Sequence, residues 1–319
     1  MTARTSGLLW LALVAAFTAS LLVPLHALLE VDRGLASAVL VELRLPRALL
    51  ALIYGATLGA SGGAIQALFA NPLASPDLTG TTSGAALGAV VTAYLFGFAA
   101  PIALSIGSVA GALGALVLLI TLAGPKAETA TLLLSGLAIS ALAGALTTLA
   151  LALAPSPFAF YDAYDWLMGS LIDRSLDQAV FAAVPAILVI ALLLRLGPAL
   201  DRLALGEEVA QSLGDNIARL RLMVICLSAL GVGACVAICG AIGFIGLIAP
   251  IFARRLTRGH PGRAIMASAL IGALLLSLAD LTVRLAPIGR TLPIGVVTAL
   301  IGAPFFLWLV AHMRWRLSA

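Results

Sequence analysis

Long apolar runs, separated by short polar segments, follow one another along almost the whole chain. Most of them reach the roughly 20 residues that a helix needs to cross a bilayer. Ten runs are found, at residues 8–29, 48–70, 82–100, 102–123, 130–153, 178–196, 218–239, 241–253, 264–286 and 293–312. The pattern predicts an all-α polytopic membrane protein of about ten transmembrane helices, folded as a single domain over residues 1–319.

The composition agrees with this class, since 62% of the residues are hydrophobic and only 10% are charged, against about a quarter charged in soluble domains. The first run follows Arg4 and could be a signal peptide, whose apolar core usually has about 7–15 residues. Residues 7–29 exceed that length, so we expect a retained span. The three cysteines fit no metal or redox spacing and imply no disulfide framework.

Basic residues predict the orientation, because cytoplasmic loops are enriched in Lys and Arg. With ten spans and the N-terminus inside, twelve of the 18 basic residues lie on the inner side and six on the outer side. The outer six are Arg33, Arg44, Arg47, Arg174, Arg284 and Arg290. We therefore expect a multi-pass protein of the cell membrane with both termini in the cytoplasm.

Three of the outer arginines stand out by position. Arg44 and Arg47 directly precede the second span, and Arg284 lies one helical turn after Asp280 in the ninth. These positive charges could meet an acidic partner, or they could anchor helix ends by reaching lipid headgroups. An i,i+4 pair of Asp280 with Arg284 could also simply neutralise charge inside the membrane.

The second span carries a glycine ridge, Gly55, Gly59 and Gly63, spaced four residues apart. This spacing lets another helix backbone approach closely and predicts a central position. Gln66, Asn71 and Pro72 follow as a polar, broken helix end. Such an end is typical of the wall of a translocation pathway, although the glycines are also compatible with plain packing.

A short internal echo links the two halves of the chain. Residues 63–65 and 70–72 resemble residues 240–242 and 249–250, five spans later. An odd number of crossings reverses the direction of the second copy. The echo predicts an inverted repeat of spans 2–5 and 7–10, an arrangement common in transporters.

The longest charged stretch lies between Arg195 and Arg221, on the predicted inner side. A short helix, Leu205–Leu213, closed by Gly214, is predicted within it and would serve as a docking segment. The chain has one lysine, Lys126, and no phosphate-binding loop. No catalytic or metal-binding constellation is found either, so the energy for transport would enter from another subunit.

Several collinear motifs resemble the FecCD-type permeases, the membrane subunits of bacterial ATP-binding cassette (ABC) importers for ferric siderophores, haem and cobalamin. They are residues 44–47, 66–76, 166–171, 205–214, 240–250 and 292–306. One departure is Ile251, where the family usually has His after Pro250. The resemblance implies a type II importer architecture with two permeases, identical or homologous, around one pathway in the inner membrane.

The resemblance also implies partners and roles. Two cytoplasmic ATPases would hold ATP and Mg²⁺, so this chain would be no enzyme and carry no cofactor; a periplasmic or lipid-anchored binding protein would deliver the substrate. Lipid would surround the chain, and no nucleic acid would bind it. The residues assigned to binding-protein docking are Arg44, Arg47 and Arg284, and those assigned to ATPase coupling, in the 197–217 loop, are Leu205, Gly206, Glu207, Glu208, Ala210, Leu213 and Gly214.

A ferric siderophore or other iron chelate is the favoured substrate, with haem and cobalamin as alternatives. A secondary carrier stays open as a different class of transporter. It would need an ion-coupling group within the membrane, and Asp280 is the one carboxylate of the predicted spans that stands out for this role.

Overall fold

The computed structural model describes residues 3–24, 32–94, 96–97, 100–124, 129–285 and 292–317, and this part of the chain is helical without strands. A π-helix, Val39–Arg44, and a 3₁₀-helix, Pro76–Thr79, interrupt the α-helices. The α-helices are α1 (Ala3–Leu22), α2 (Arg33–Ala38), α3 (Leu45–Leu68), α4 (Thr81–Tyr94), α5 (Pro101–Ala123), α6 (Thr129–Ala152), α7 (Pro157–Leu167), α8 (Leu176–Arg195), α9 (Gly197–Leu203), α10 (Glu207–Ser212), α11 (Ile217–Cys239), α12 (Ile245–Leu256), α13 (Pro261–Leu285) and α14 (Ile294–Leu317).

Each of the ten predicted runs corresponds to one of these helices. Seven helices in the described part are long and apolar enough to cross a membrane: α1, the continuous 34–68 helix, α5, α6, α8, α11 and α13. The shorter apolar helices α4, α12 and α14 account for the other three runs. The prediction of an all-α, polytopic membrane protein is confirmed. Lys126 and Arg290, used in the charge count, lie outside the described residues.

The second span begins earlier than the sequence predicts. Pro46 and its two flanking arginines indicate a helix boundary, yet the helix continues backwards through the π-helix to Arg33. Pro46 occupies the first turn of α3, where its missing N–H is tolerated. The wider π-turn before it accommodates the change in hydrogen bonding without ending the helix.

The eighth span begins later than predicted, because the backbone is unwound between α11 and α12. Gly240 and Phe244 both have left-handed φ angles, of 72° and 67°. The fully buried Tyr54 hydroxyl donates to the Gly240 carbonyl (3.0 Å) and accepts from the Ile242 N–H (3.3 Å). Unwound backbone at membrane depth is tolerated only with such internal partners.

The glycine ridge places α3 at the centre of the bundle, as predicted. A Cβ atom at Gly55 or Gly59 would overlap the backbone carbonyl of Gly272 or Ser268 on α13. Gly62 lies equally close to the carbonyl of Gly246 on α12. The small residues thus bring three helix backbones into direct contact, which is how helices associate closely in membranes.

Helix packing repeats between the two halves of the chain. The helix α3 packs along α13 as α11 packs along α5, and α4 packs on α5 as α12 packs on α13. The contact of α3 with α12 has its counterpart in that of α11 with α4, while α3 and α11 touch each other. This exchange of partners is what a pseudo-two-fold axis between spans 2–5 and 7–10 produces, in agreement with the predicted inverted repeat.

Candidate functional site

One end of the bundle, here called the arginine end, gathers the end of α1, the start of α3 and the end of α13. Arg47 Nε donates to Asp280 Oδ1 at 2.6 Å, and Arg284 Nε donates to Asp280 Oδ2 at 2.9 Å. The Asp280 side chain is 1% exposed. One buried carboxylate therefore joins two guanidinium groups, which meets the need of a buried charge for paired and hydrogen-bonded partners.

Arg44 and Arg284 also bind the carboxyl end of α1. Arg44 donates to the carbonyls of Leu21 (2.9 Å) and Pro24 (3.2 Å), and Arg284 Nη1 donates to that of Ser20 (2.5 Å). The last carbonyls of a helix lack partners within it, and positive charge is favourable there.

All three arginines thus have partners within the chain, as the charge-neutralising interpretation requires, and anchoring to lipid headgroups stays a prediction. Three guanidinium groups against one carboxylate leave two net positive charges within this cluster of four side chains, while the exposed carboxylates of Asp32 and Glu42 also lie at this end. The predicted docking role is compatible with that excess and stays a prediction. The sequence could not have indicated the Arg47–Asp280 pair, whose members are 233 positions apart.

The opposite end of the bundle, here called the α10 end, carries the predicted docking segment. The helix α10 covers Glu207–Ser212, between Gly206 (φ 111°) and Gly214 (φ 93°). This agrees with the predicted helix at 205–213, one to two residues shorter at its two ends, and with its stop at Gly214. Glu207 and Glu208 lie in its first turn, where the helix dipole favours negative charge.

Three apolar side chains lie on the exposed surface of α10 and its flanking residues, beside exposed polar ones. Leu205, Val209 and Leu213, spaced four residues apart, are 66%, 43% and 58% exposed, whereas Ala210 is fully buried against the bundle. We call these three residues the apolar stripe. Exposed apolar surface in a polar loop is typical of a protein interface.

Ion pairs and helix caps fix α10 to the spans. Arg202 makes two hydrogen bonds of 2.6 Å to the Asp215 carboxylate, and Arg221 at the start of α11 pairs with Glu207. The Arg202 guanidinium thereby holds the pKa of Asp215 below its usual value. Asp201 Oδ1 accepts from the Gly262 N–H at 2.8 Å, which caps α13.

The sequence analysis did not identify these ion pairs and helix caps, for different reasons. Arg202–Asp215 and Arg221–Glu207 connect residues 13 and 14 positions apart across two turns, a spacing without a local signature. Asn216, which accepts from the Arg219 N–H at 2.9 Å, is an ordinary N-cap that the preference of helix starts for Asn could have revealed.

The predicted pathway residues occupy different environments. Gln66 is fully buried and donates through Nε2 to the Leu247 carbonyl of α12 at 3.1 Å, while its Oε1 has no partner within the described residues. Asn71 Oδ1 accepts from the Leu73 N–H at 2.9 Å and forms the turn that follows α3. Asn71 and Pro72 are partly exposed. In the described residues no group of three His, Cys, Asp or Glu side chains could hold a metal ion.

A bundle of apolar spans with an inverted repeat and a braced loop helix defines a membrane transport protein. The chain belongs to the FecCD transport family, whose model matches residues 5–312. It is 39% identical to the Fe(3+)-citrate import system permease protein YfmE of Bacillus subtilis (strain 168), over 84% of this chain and 80% of that protein. It is 42% identical to the vitamin B12 import system permease protein BtuC of Vibrio cholerae, over 85% and 82%.

A solved structure agrees with this assignment. An inward-facing metal-chelate type ABC transporter superposes with a TM-score of 0.87 at 33% identity, covering 98% of this chain and 100% of that one. The chain is therefore a multi-pass permease of the ABC importers that carry iron chelates, iron citrate or vitamin B12.

Proposed function

We propose that the chain is the permease subunit of an ATP-driven importer that carries a ferric siderophore or other iron chelate across the bacterial inner membrane. The observation that carries the proposal is the apolar stripe on α10, a docking surface fixed to the spans of a chain without a nucleotide-binding motif. The Fe(3+)-citrate permeases among its relatives favour iron.

Energy enters, in this proposal, through α10. Two cytoplasmic ATPases hold ATP and Mg²⁺ and hydrolyse the nucleotide, and each receives an apolar stripe in a groove of its surface. Movement of that groove passes to α11 through the Glu207–Arg221 and Arg202–Asp215 pairs, and to α13 through Asp201. Gly206 and Gly214, with their left-handed backbone, set the angle at which α10 leaves the bundle.

The pathway lies between this permease and a second one, identical or homologous. Gln66, Asn71 and Pro72 form part of its wall next to the break after α3. Because Gln66 is buried against Leu247 in the present conformation, its exposure to the pathway requires α3 and α12 to separate. The unpaired Oε1 atom of Gln66 would gain a water partner in that state.

In this proposal the arginine end faces the periplasm and receives the binding protein there. Both termini then lie on the opposite, cytoplasmic side. The two excess positive charges of the cluster of Arg44, Arg47, Arg284 and Asp280 attract acidic residues, and complementary charge of this kind accelerates encounter and fixes register. Arg47, which is 16% exposed, is the arginine of the Asp280 pair better placed for that contact; Arg284 is 7% exposed.

The proposal is tested by transport in proteoliposomes that contain this permease, its ATPase and its binding protein. We expect uptake of radioactive ferric citrate that requires ATP inside the vesicle and stops with a hydrolysis-deficient ATPase. Uphill accumulation by the permease alone would instead indicate a secondary carrier.

Vitamin B12 is the second candidate substrate, because the similarity to BtuC of Vibrio cholerae is as strong as that to the citrate permeases. The same vesicles, supplied with cobalamin in place of ferric citrate, distinguish the two. Cobalamin uptake without ferric citrate uptake would overturn the assignment to iron.

A further inference from the structure

A cavity of about 690 Å³ lies at the arginine end, away from the arginine pairs. Its walls come from α4, α7, the start of α14 and the turn between α7 and α8. Pockets that hold small molecules typically enclose about 300–1,000 Å³. The cavity is thus large enough for a bound compound, and it lies at the end of the bundle where, in the proposed function, a delivered substrate would arrive.

Fixed apolar and aromatic groups form most of the wall. Tyr94 donates from its hydroxyl to the Ala159 carbonyl at 2.6 Å and so holds α7 against α4. Trp166, at the end of α7, lines the cavity and is partly buried. The adjoining turn is fixed through Gly169, whose carbonyl accepts from the Ile294 N–H at 3.0 Å. The cavity is therefore a preformed feature of the fold.

Arg174 supplies the positive charge of this cavity. Within the residues that the structure describes, its Nε atom is buried without a hydrogen-bond partner, and no described carboxylate forms an ion pair with it. Asp173 beside it also lines the cavity, but its side chain is exposed and unpaired with Arg174. Arg174 as a whole is only partly buried. A buried polar atom without a hydrogen bond is costly, and a bidentate carboxylate is the ligand that the planar guanidinium group fits.

We propose that this Arg174 cavity receives a carboxylate group of the transported chelate, with Trp166 and Tyr94 covering the rest of the ligand. The proposal rests on the assignment of the chain as an iron-chelate permease and narrows its substrate to anionic, carboxylate-bearing chelates. Arg174 acts as a binding and specificity residue on the outer side, before the substrate enters the pathway between the permeases.

Binding is measured directly on the permease–ATPase complex in nanodiscs, without the binding protein. Replacing Trp10, Trp308 and Trp315 with Phe leaves Trp166 as the single tryptophan of the permease. The tryptophans of the ATPase are also replaced with Phe, so that the emission of the complex comes from Trp166 alone. Gallium citrate, a redox-inert analogue of ferric citrate, is the probe. We expect a saturable change in Trp166 emission, which R174M weakens about tenfold or more and R174K only in part.

A matched control is R263M, which removes an exposed arginine at the α10 end and should leave the titration unchanged. Equal affinity of R174M and the parent overturns the proposal, as does the lack of a saturable change in an intact parent complex. If R174M fails to assemble, R174K and R174Q are compared with the parent instead. The proposal is overturned if both variants bind gallium citrate with the affinity of the parent.

Transport separates this proposal from the function on which it rests. In the vesicles described above, R174M should lower uptake of ferric citrate severalfold while ATP hydrolysis continues. Full uptake by R174M overturns the role of Arg174 but leaves the permease function standing. An unmodified system that imports no ferric chelate overturns the function, whereas the gallium citrate titration still decides whether the cavity binds carboxylates.

Discussion

The two ends of the bundle use charge in opposite ways. At the arginine end the charged groups are largely buried and bond inward, to Asp280 and to the carbonyls that end α1. At the α10 end they hold a short helix whose exposed surface carries the apolar stripe beside polar side chains. In the proposed function this difference corresponds to two kinds of partner contact: one steered by the excess positive charge of the arginine cluster and sensitive to salt, the other based on apolar burial and nearly insensitive to it.

The largest effect is expected from Asp280→Asn. Removing one partner of a buried ionic group leaves the others uncompensated, at a cost of about 3–5 kcal/mol, here at Arg47 and Arg284. The melting temperature of the purified complex should fall sharply. Thr282→Val, an exposed change on the same helix, should have little effect. An unchanged melting temperature for Asp280→Asn would mean that the carboxylate does not hold this end together.

The next largest effect is expected from Leu213→Asp, at the α10 end. Burial of one leucine contributes about 1.5–3 kcal/mol, so binding of the ATPase should weaken by roughly tenfold to a hundredfold. Affinity is measured with the permease in nanodiscs at low and high salt. Gln211→Asp adds the same charge on the opposite face of α10 and is the control. Equal weakening by both variants would contradict a contact made by the apolar stripe.

Gly214→Val should uncouple hydrolysis from transport. Its φ of 93° is unfavourable for a β-branched residue, at a cost of about 1–3 kcal/mol, so the end of α10 should change its path. We expect ATP hydrolysis to continue while uptake per ATP falls. Gly114→Ala, in a helix with open space around it, should leave the ratio unchanged. Tight coupling in Gly214→Val would count against transmission through α10.

A smaller effect is expected when both Arg44 and Arg47 are replaced with Gln in one variant. Loss of the excess positive charge should slow association of the binding protein severalfold at low salt, and the difference should disappear at high salt. Stopped-flow association gives both rates. Arg263→Gln removes a charge at the α10 end and should change neither. The same rates for the double variant and the parent would remove the steering argument and leave these arginines as anchors for α1.

The smallest effect concerns pH at the α10 end. Because Arg202 holds the pKa of Asp215 below its usual value, the pair stabilises the loop above the ordinary pKa of an aspartate, about 4. That contribution is lost as the pH falls through the lowered value. Hydrogen exchange of α10 should therefore increase below about pH 4, and Arg202→Gln should remove this dependence. An identical pH profile in that variant would mean that the pair does not order the loop.

Features with a local cause were predictable from the sequence. The apolar runs gave the helices, the spacing of Gly55 and Gly59 indicated close packing, and Gly214 marked the end of the docking helix. The bounds of α3 and α12 were harder to predict from the sequence. Pro46 is accommodated by a π-turn, and the break before α12 depends on Tyr54, far away in the chain.

The candidate site could be predicted from the sequence only in part, for the same reason. The sequence predicted the helix α10 and singled out the three arginines, whose docking role stays a prediction, but their partners within the chain depend on the tertiary fold. Asp280 meets Arg47 only because α3 and α13 pack together, and Arg174 shares a cavity with α7 and the residues before α14 only in the folded chain.

The glycine seam between α3 and α13 has a mechanical consequence. No side chain separates Gly55 from Gly272 or Gly59 from the Ser268 carbonyl, so no rotamer change can absorb a shift between the two backbones. The two helices then tilt as one rigid unit. A displacement that begins at Asp201 and the amino end of α13 would therefore reach Arg284, near the other end of this 25-residue helix, where we propose that the binding protein docks.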